Sequence, residues 1–405
     1  MANPCGRAVK RLTASAAPWL VPLPARRRTG QSGQMEKRPT ALILGAGIMG
    51  LSTAWALLRE GFAVHLMDQA PPPNPQGASV DHHRLIRHAY GAQRGYMRMV
   101  DDAYAAWDRL WADLGERLYV ESGVLAVDDT GGGWVRDTRA ALRADGRAHE
   151  DLTAAQVAAR FPYLSGEGIT DAFHSPAGGV LLAERIVGAL ARHVVAQGAV
   201  IEVARAREID PERATITLDT GATRSGDVLV VAAGPWIPRL LPQVALRVTA
   251  SRQVVVRLEP PSDVWLTAPM LLDLAESGGF YIVPPVAGTP LKIGDHTFSR
   301  QGHPGDDRTP DPREVARILA LARHRIPGIE GFVRLGAATC FYDVEPDERF
   351  VIEKLAPHAW VMSGFSGHGF KFGAVLGERL ARAIAHPQHA ASLPAWAAGD
   401  EVIPA

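Results

Sequence analysis

The chain has 405 residues, with 43 Lys plus Arg set against 43 Asp plus Glu, so its formal net charge is zero. At roughly 100–200 residues per domain this length holds more than one structural unit, and the neutral balance removes the electrostatic basis of nucleic-acid binding. Two cysteines, Cys5 and Cys340, cannot build a disulfide framework and point to a cytoplasmic protein, while 40 Gly and 30 Pro point to many tight turns rather than a helical bundle.

Residues 1–34 carry Arg7, Lys10, Arg11 and Arg26 to Arg28 and no acid. An Arg-rich, acid-poor leader fits a transit peptide. No apolar run follows the Arg triplet before Ala41, however, and no cleavage pattern is visible. Residues 1–36 are therefore read as a disordered basic extension, with Met35 a natural start. The stretch Ala41 to Leu58 is uncharged and about as long as a membrane span, but three glycines among its first ten residues argue against one.

That stretch opens a strand–turn–helix–strand pattern instead. Ala41 to Leu44 is an apolar run suited to a buried parallel strand. Gly45, Gly47 and Gly50 then supply G-x-G-x-x-G: a sharp turn, a close backbone approach to pyrophosphate, and tight packing of helix on strand. Ile48 and Met49 open a helix whose unsatisfied N–H groups favour phosphate, and the helix is expected to stop at Gly61. Phe62 to Met67 is the second strand. Asp68 ends it, 18 residues past Gly50, where a carboxylate can take the ribose hydroxyls of adenosine. The ligand is NAD or FAD, and the fingerprint does not choose between them.

Further along, Tyr96 to Leu114 has helical spacing of apolar and aromatic residues, an expected core face. Residues 118–128 look strand-rich, Ala183 to Gln197 is an amphipathic helix, and Val200 to Val203 and Ala214 to Leu218 are β runs. Asp227 to Gly234 reads as a buried strand ending in the small residues Ala232, Ala233 and Gly234. It is either a second close approach to the dinucleotide or an ordinary strand exit. Residues 243–300 alternate short β segments with Gly/Pro turns, and 359–364 is a last apolar strand before GFSGHGFKFG and a helix from about Ala374 to Ala385.

Five motifs in order, GAGIMG (45–50), RLIRHAYG (84–91), LKIGDHTF (291–298), CFYDVEPDERFVI (340–352) and GFSGHGFKF (364–372), give the chain a resemblance that runs from Thr40 onward. It resembles the monomeric sarcosine oxidase and N-methyl amino acid oxidase branch of the D-amino-acid-oxidase-like FAD-dependent oxidoreductases. The resemblance implies FAD and an α/β fold, in which a Rossmann-type FAD-binding domain is interleaved with a substrate domain on a large mixed β-sheet. The expected division is 37–118, 172–242 and 333–392 for FAD, and 119–171 and 243–332 for substrate. A monomer with no metal, no membrane contact and no nucleic-acid partner is implied as well.

By the same resemblance, Cys340 holds the flavin through a thioether, although a lone cysteine read by itself is an inert buried residue. Arg87 and Lys371 match a pair of cations that hold a substrate carboxylate, which an Arg fork and a Lys point charge suit chemically. Arg84 matches an arginine that favours negative charge on the reduced flavin; its alternative is a structural ion pair. Lys292 matches a lysine over the flavin face that promotes reaction with oxygen, although in an alternating strand it would otherwise face solvent. His296, Tyr281 and Tyr342 match residues on the substrate side. Gly367, His368 and Gly369 belong to a loop whose N–H groups face the flavin, and Lys371 follows it. Ser79 and Val80 stand where the family has a His pair beside the flavin, with His82 and His83 displaced toward Arg84, so substrate preference is expected to differ.

The expected reaction is oxidation of the C–N bond of a secondary or cyclic amino acid to an imine, by hydride transfer to FAD, with oxygen reduced to hydrogen peroxide. The motifs display no obvious catalytic carboxylate, and none is needed if the amine binds unprotonated. The alternatives are a flavin dehydrogenase of carboxylate-free amines using another acceptor, an NAD-dependent dehydrogenase sharing only the fingerprint, and a non-catalytic flavin-binding protein.

Overall fold

A computed structural model describes residues 38–401, apart from 130 and 275–278; the basic extension and Cys5 lie outside the described residues. A six-stranded sheet has the order Val351–Ala356, Ala359–Ser363, Val228–Val231, Thr40–Leu44, Ala63–Asp68, Val200–Val203. All neighbours are parallel except the first pair. The central strands are apolar on both faces because both are covered. Ala41 and Ile43 join the cluster under the helices Ile48–Arg59, Ala183–Ala196 and Gly373–Ala385. Leu42 and Leu44 join a second cluster, under the three-stranded antiparallel sheet formed by 206–225.

The eight-stranded sheet runs Val333–Val344, Thr249–Glu259, Leu291–Asp295, Phe280–Val283, Met270–Asp273, Val124–Asp128, Asp171–Ser175, Glu150–Asp151. It is mixed: Met270–Asp273 pairs parallel with Val124–Asp128, and the other pairs are antiparallel. The short segments expected over 243–300 include one long strand of 11 residues, Thr249–Glu259. Val333–Val344, grouped with the FAD unit on sequence grounds, pairs along its length with Thr249–Glu259 in this sheet. The chain thus crosses repeatedly between the two sheets. No helix among the described residues is long and apolar enough to cross a membrane.

Candidate active site

Leu44 and Asp68, together with Ala232 just past Val231 and Phe365 just past Ser363, place one cavity of about 410 Å³ at the carboxyl ends of four parallel strands, the place where open α/β sheets bind ligands. Gly45 turns with φ +107° and donates its N–H to Met67 O at 2.7 Å. A Cβ at Gly50 would fall 1.8 Å from Gly45 O, so the helix can start hard against the turn only with glycine there. Gly47 caps the helix without a side chain, and the Ile48 N–H donates to Ser79 Oγ at 2.9 Å. Asp68 accepts from the Ala46 N–H at 2.8 Å and from Asn74 Nδ2 at 2.7 Å; burial pushes its carboxyl up, against those bonds. Ala232, Ala233 and Gly234 line the same wall, and a Cβ on Gly45 would meet Ala232 O at 2.3 Å. That turn therefore packs directly on the glycine turn and shares its cavity, as a close approach to a dinucleotide requires.

A second cavity of about 290 Å³ adjoins the first, and Arg84, Tyr342, Gly367 and Phe370 line both. A long dinucleotide with a ring at one end fits this arrangement: glycines that a Cβ would fill, a helix N-terminus whose cap has no side chain for pyrophosphate, Asp68 for ribose, and a continuous path into the second cavity. Gly367 has φ +73°, and a Cβ there would strike the Tyr342 ring at 2.6 Å, so the 364–369 loop lies flat on that aromatic face.

The second cavity brings together the residues named from the sequence for catalysis and substrate binding, while Cys340 lines neither cavity. Arg87, Lys371, Tyr281, Lys292, His296 and His368 all line it. Arg87 lies between two rings, its guanidinium carbon 5.1 Å from the Tyr90 centroid and 5.6 Å from that of Trp134. One of its terminal nitrogens is buried with no hydrogen-bond partner. Lys371 is buried, with Nζ donating to Tyr90 Oη at 2.9 Å and His368 O at 3.3 Å. Burial, then Arg87, holds its ammonium well below the usual lysine range. Among the described residues neither cation has an ion pair. His296 is neutral, because burial lowers it to about 4, and burial also holds His368 well below its ordinary value.

Lys292, expected at the surface when read alone, is 2% exposed. Its Nζ donates to Asp81 Oδ2 at 2.7 Å and His83 O at 2.8 Å. Arg84 is ion-paired to the same Asp81 at 2.9 Å and also lines both cavities, so its two readings are compatible. Cys340 is free and partly buried on Val333–Val344, opposite Gln253. Burial pushes its thiol up and Arg84 pulls it down.

Three residues of the site escaped the sequence reading. Asp81 precedes the RLIRHAYG motif, and nothing local marks a partner 211 residues away. Glu348 lies inside a quoted motif and lines the second cavity in a left-handed conformation, φ +60°, which a non-glycine residue rarely adopts. Trp134 follows three glycines, 131–133, which hide the start of its helix, Gly133–Ala144.

The model of the FAD dependent oxidoreductase family matches residues 40–383. The chain is 30% identical to monomeric sarcosine oxidase of Bacillus sp. (strain NS-129), over 84% of this chain and 91% of that one. It is 28% identical to N-methyl-L-tryptophan oxidase of Yersinia pestis (strain Pestoides F), over 83% and 92%. In fold it is similar to NikD, described as an unusual amino acid oxidase essential for nikkomycin biosynthesis, with a TM-score of 0.76 at 21% identity, covering 91% of this chain and 99% of that one.

Proposed function

The chain belongs to the FAD dependent oxidoreductase family, and from that premise we propose that it is an amine oxidase whose substrate is a secondary or cyclic amino acid. The observation that carries this reading is the pair of buried basic side chains, Arg87 and Lys371, that line the second cavity without an ion pair among the described residues, while Glu348 on the same cavity acts on both through its charge but is bonded to neither. Burying unpaired charge is costly; a substrate carboxylate removes that cost and is fixed in place by it. Held by the 45–50 turn, Asp68 and the 364–369 loop, FAD would supply the redox chemistry, accepting a hydride from the carbon next to nitrogen and returning the two electrons to oxygen as hydrogen peroxide.

The protein supplies orientation and charge. Arg87 is held flat by Tyr90 and Trp134 and presents its fork to the carboxylate, with Lys371 as the second contact. Tyr281, Tyr342 and neutral His296 flank the amine. Leu272 and Leu274 add an apolar wall, which suits a substituent larger than a methyl group. Arg84 and Lys292 provide positive charge on the flavin side, where oxygen reduction builds negative charge. Cys340 is the proposed thioether anchor, supported by its place beside Arg84, Lys292 and Tyr342. On this reading the FAD-binding unit is 37–118, 172–242 and 333–392, with its strand 333–344 reaching into the second sheet. The enzyme is a cytoplasmic monomer.

The test is anaerobic flavin bleaching by sarcosine, N-methyl aromatic amino acids, proline, pipecolate and carboxylate-free cyclic amines, followed by peroxide measurement on admitting air. Bleaching by at least one carboxylate-bearing amine, with peroxide matching substrate consumed, is expected. Bleaching only by carboxylate-free amines would overturn the substrate class, and near-zero peroxide would make the protein a dehydrogenase.

A further inference from the structure

Asp81 is the point at which the cationic wall of the second cavity is fastened. Its Oδ2 accepts from Lys292 at 2.7 Å and from Arg84 at 2.9 Å. Its Oδ1 accepts from Arg257 at 3.0 Å and from the His82 N–H at 2.8 Å, and its backbone carbonyl accepts from the Glu184 N–H at 3.1 Å. With four donors on two oxygens the carboxylate cannot rotate. Lys292, on the neighbouring strand Leu291–Asp295, has two of its three N–H donors tied down, to Asp81 and to His83 O, which leaves one for the cavity it lines.

We infer that Asp81 is a positioning residue that keeps the Lys292 ammonium charged and fixed against the cofactor side of the second cavity, and thereby sets how fast the reduced enzyme reacts with oxygen. This rests on the proposed function, in which Lys292 faces the flavin.

The electrostatics run the same way as the geometry. Burial pulls Lys292 down to about 8, Asp81 is the largest force holding it up, and Arg84 opposes it. His83, at about 3, adds no charge. The other groups that face the cluster are Arg257, Cys340, Tyr281 and Tyr342. One carboxylate thus serves three cations, Lys292, Arg84 and Arg257, and of these only the lysine can lose its proton near neutrality. Without Asp81 the two arginines stay charged and repel the ammonium.

The consequence is counter-intuitive in sign. Taking away a negative charge should leave the site less positive at the point that matters, because Lys292 discharges. Sulfite, an anion that adds to oxidised flavin, separates the two possibilities. If Asp81 is only a nearby negative charge, Asp81→Asn should tighten sulfite binding; if it holds Lys292 charged, the same change should weaken it.

The experiment compares wild type, Asp81→Asn, Lys292→Met and the double variant. It measures sulfite affinity of the bound flavin, the anaerobic reduction rate, and the reoxidation rate from pH 6 to 10. Loss of one charge partner leaves about a tenth of the lysines charged at pH 7, so reoxidation in Asp81→Asn should fall about tenfold there, with anaerobic reduction changed much less. Wild-type reoxidation should decline through about pH 8. In the Lys292→Met background the Asp81 change should have no further effect. Tighter sulfite binding in Asp81→Asn, equal losses in both backgrounds, or a flat wild-type profile would each overturn the inference. If Asp81→Asn does not fold, Asp81→Glu takes its place, because it keeps the charge but shifts the carboxylate that holds Lys292 and Arg84: slower reoxidation with anaerobic reduction little changed is expected, and wild-type reoxidation would overturn the positioning role. An enzyme that no amine bleaches would instead overturn the proposed function.

Discussion

Arg87 and Lys371 are informative because of what does not surround them. Each is buried among aromatic rings and hydrogen-bond acceptors, and the Glu348 carboxyl on the same cavity acts on both without forming an ion pair with either. Arg87→Ala should therefore lower kcat/KM for carboxylate-bearing amines by about 2–4 kcal/mol, about 30- to 1000-fold. The loss for the decarboxylated analogue should be far smaller, and equal losses for both would remove the clamp. Cys340 has a cleaner readout. Acid precipitation of the wild type should carry the flavin down with the protein, and Cys340→Ala should leave it in the supernatant; flavin already released from the wild type would disprove the tether.

Asp343, one residue past Tyr342, makes a prediction about pH. It is 4% exposed, and its carboxylate accepts from Ser363 Oγ at 3.2 Å and the Phe365 N–H at 3.5 Å, with the Gly364 backbone also favouring its ionised form. Burial pushes it up to about 6. An acid raised above its unfolded value, about 3.9, favours folding fully only below that value, and the advantage is lost as pH rises to about 6. Asp343→Asn should then raise Tm at pH 8, by roughly 2–3 kcal/mol of stability, and change little at pH 4. Calorimetry at the two pH values checks it, and an equal shift at both would remove the cause.

At the scale of elements, the fingerprint is a contact made possible by missing side chains. The helix Ile48–Arg59 meets the turn at Gly50, and it meets the helix Gly373–Ala385 at Gly377, where a Cβ would fall 2.5 Å from the Ser52 backbone. Gly50→Ala forces the helix off Gly45 O. It should cost about 1–3 kcal/mol and yield protein purified without flavin absorbance; a fully loaded yellow variant would contradict this. The approach at Gly50 was legible because the glycine spacing sits between a strand and a helix with Asp68 beyond; that at Gly377 was not read. The helix Arg94–Leu114 was equally legible from its apolar period. Pro312–Ala322 went unread although it carries a signal, since Asp311 and Glu314 form a capping box there. Val333–Val344 was harder: its first residues are exposed and its middle is half-buried, so no alternation marks it, and its length comes from pairing with Thr249–Glu259.

At the scale of the molecule, the second sheet is anchored from behind by Arg325. Its guanidinium is fully buried, donating to Asp273 Oδ2 at 2.7 Å and to the carbonyls of Ser165 and Glu167. It thereby ties the 165–167 loop to the strand Met270–Asp273. Arg325→Leu leaves a buried carboxylate stripped of its guanidinium and should destabilise the protein by about 3–5 kcal/mol, read as a lower urea midpoint. An unchanged midpoint would show that the tie carries no stability. The substrate clamp should be unaffected in protein that still folds, because Arg325 does not line either cavity.

The sequence by itself determined the local chemistry. G-x-G-x-x-G followed by Asp68 specifies a strand–turn–helix that binds a dinucleotide, since those residues act on neighbours a few positions away. The resemblance carried by short ordered motifs singled out Arg87, Lys371 and Lys292, which the fold brings to one cavity. Only the tertiary structure decided which charges stand alone and which are shared. Lys292 meets Asp81 because two strands and a loop far apart in the chain converge, and Arg87 and Lys371 share a cavity with Glu348 yet form no ion pair with it among the described residues. Pairing of buried charges depends on distances of a few ångströms across the fold, which the order of residues along the chain does not encode.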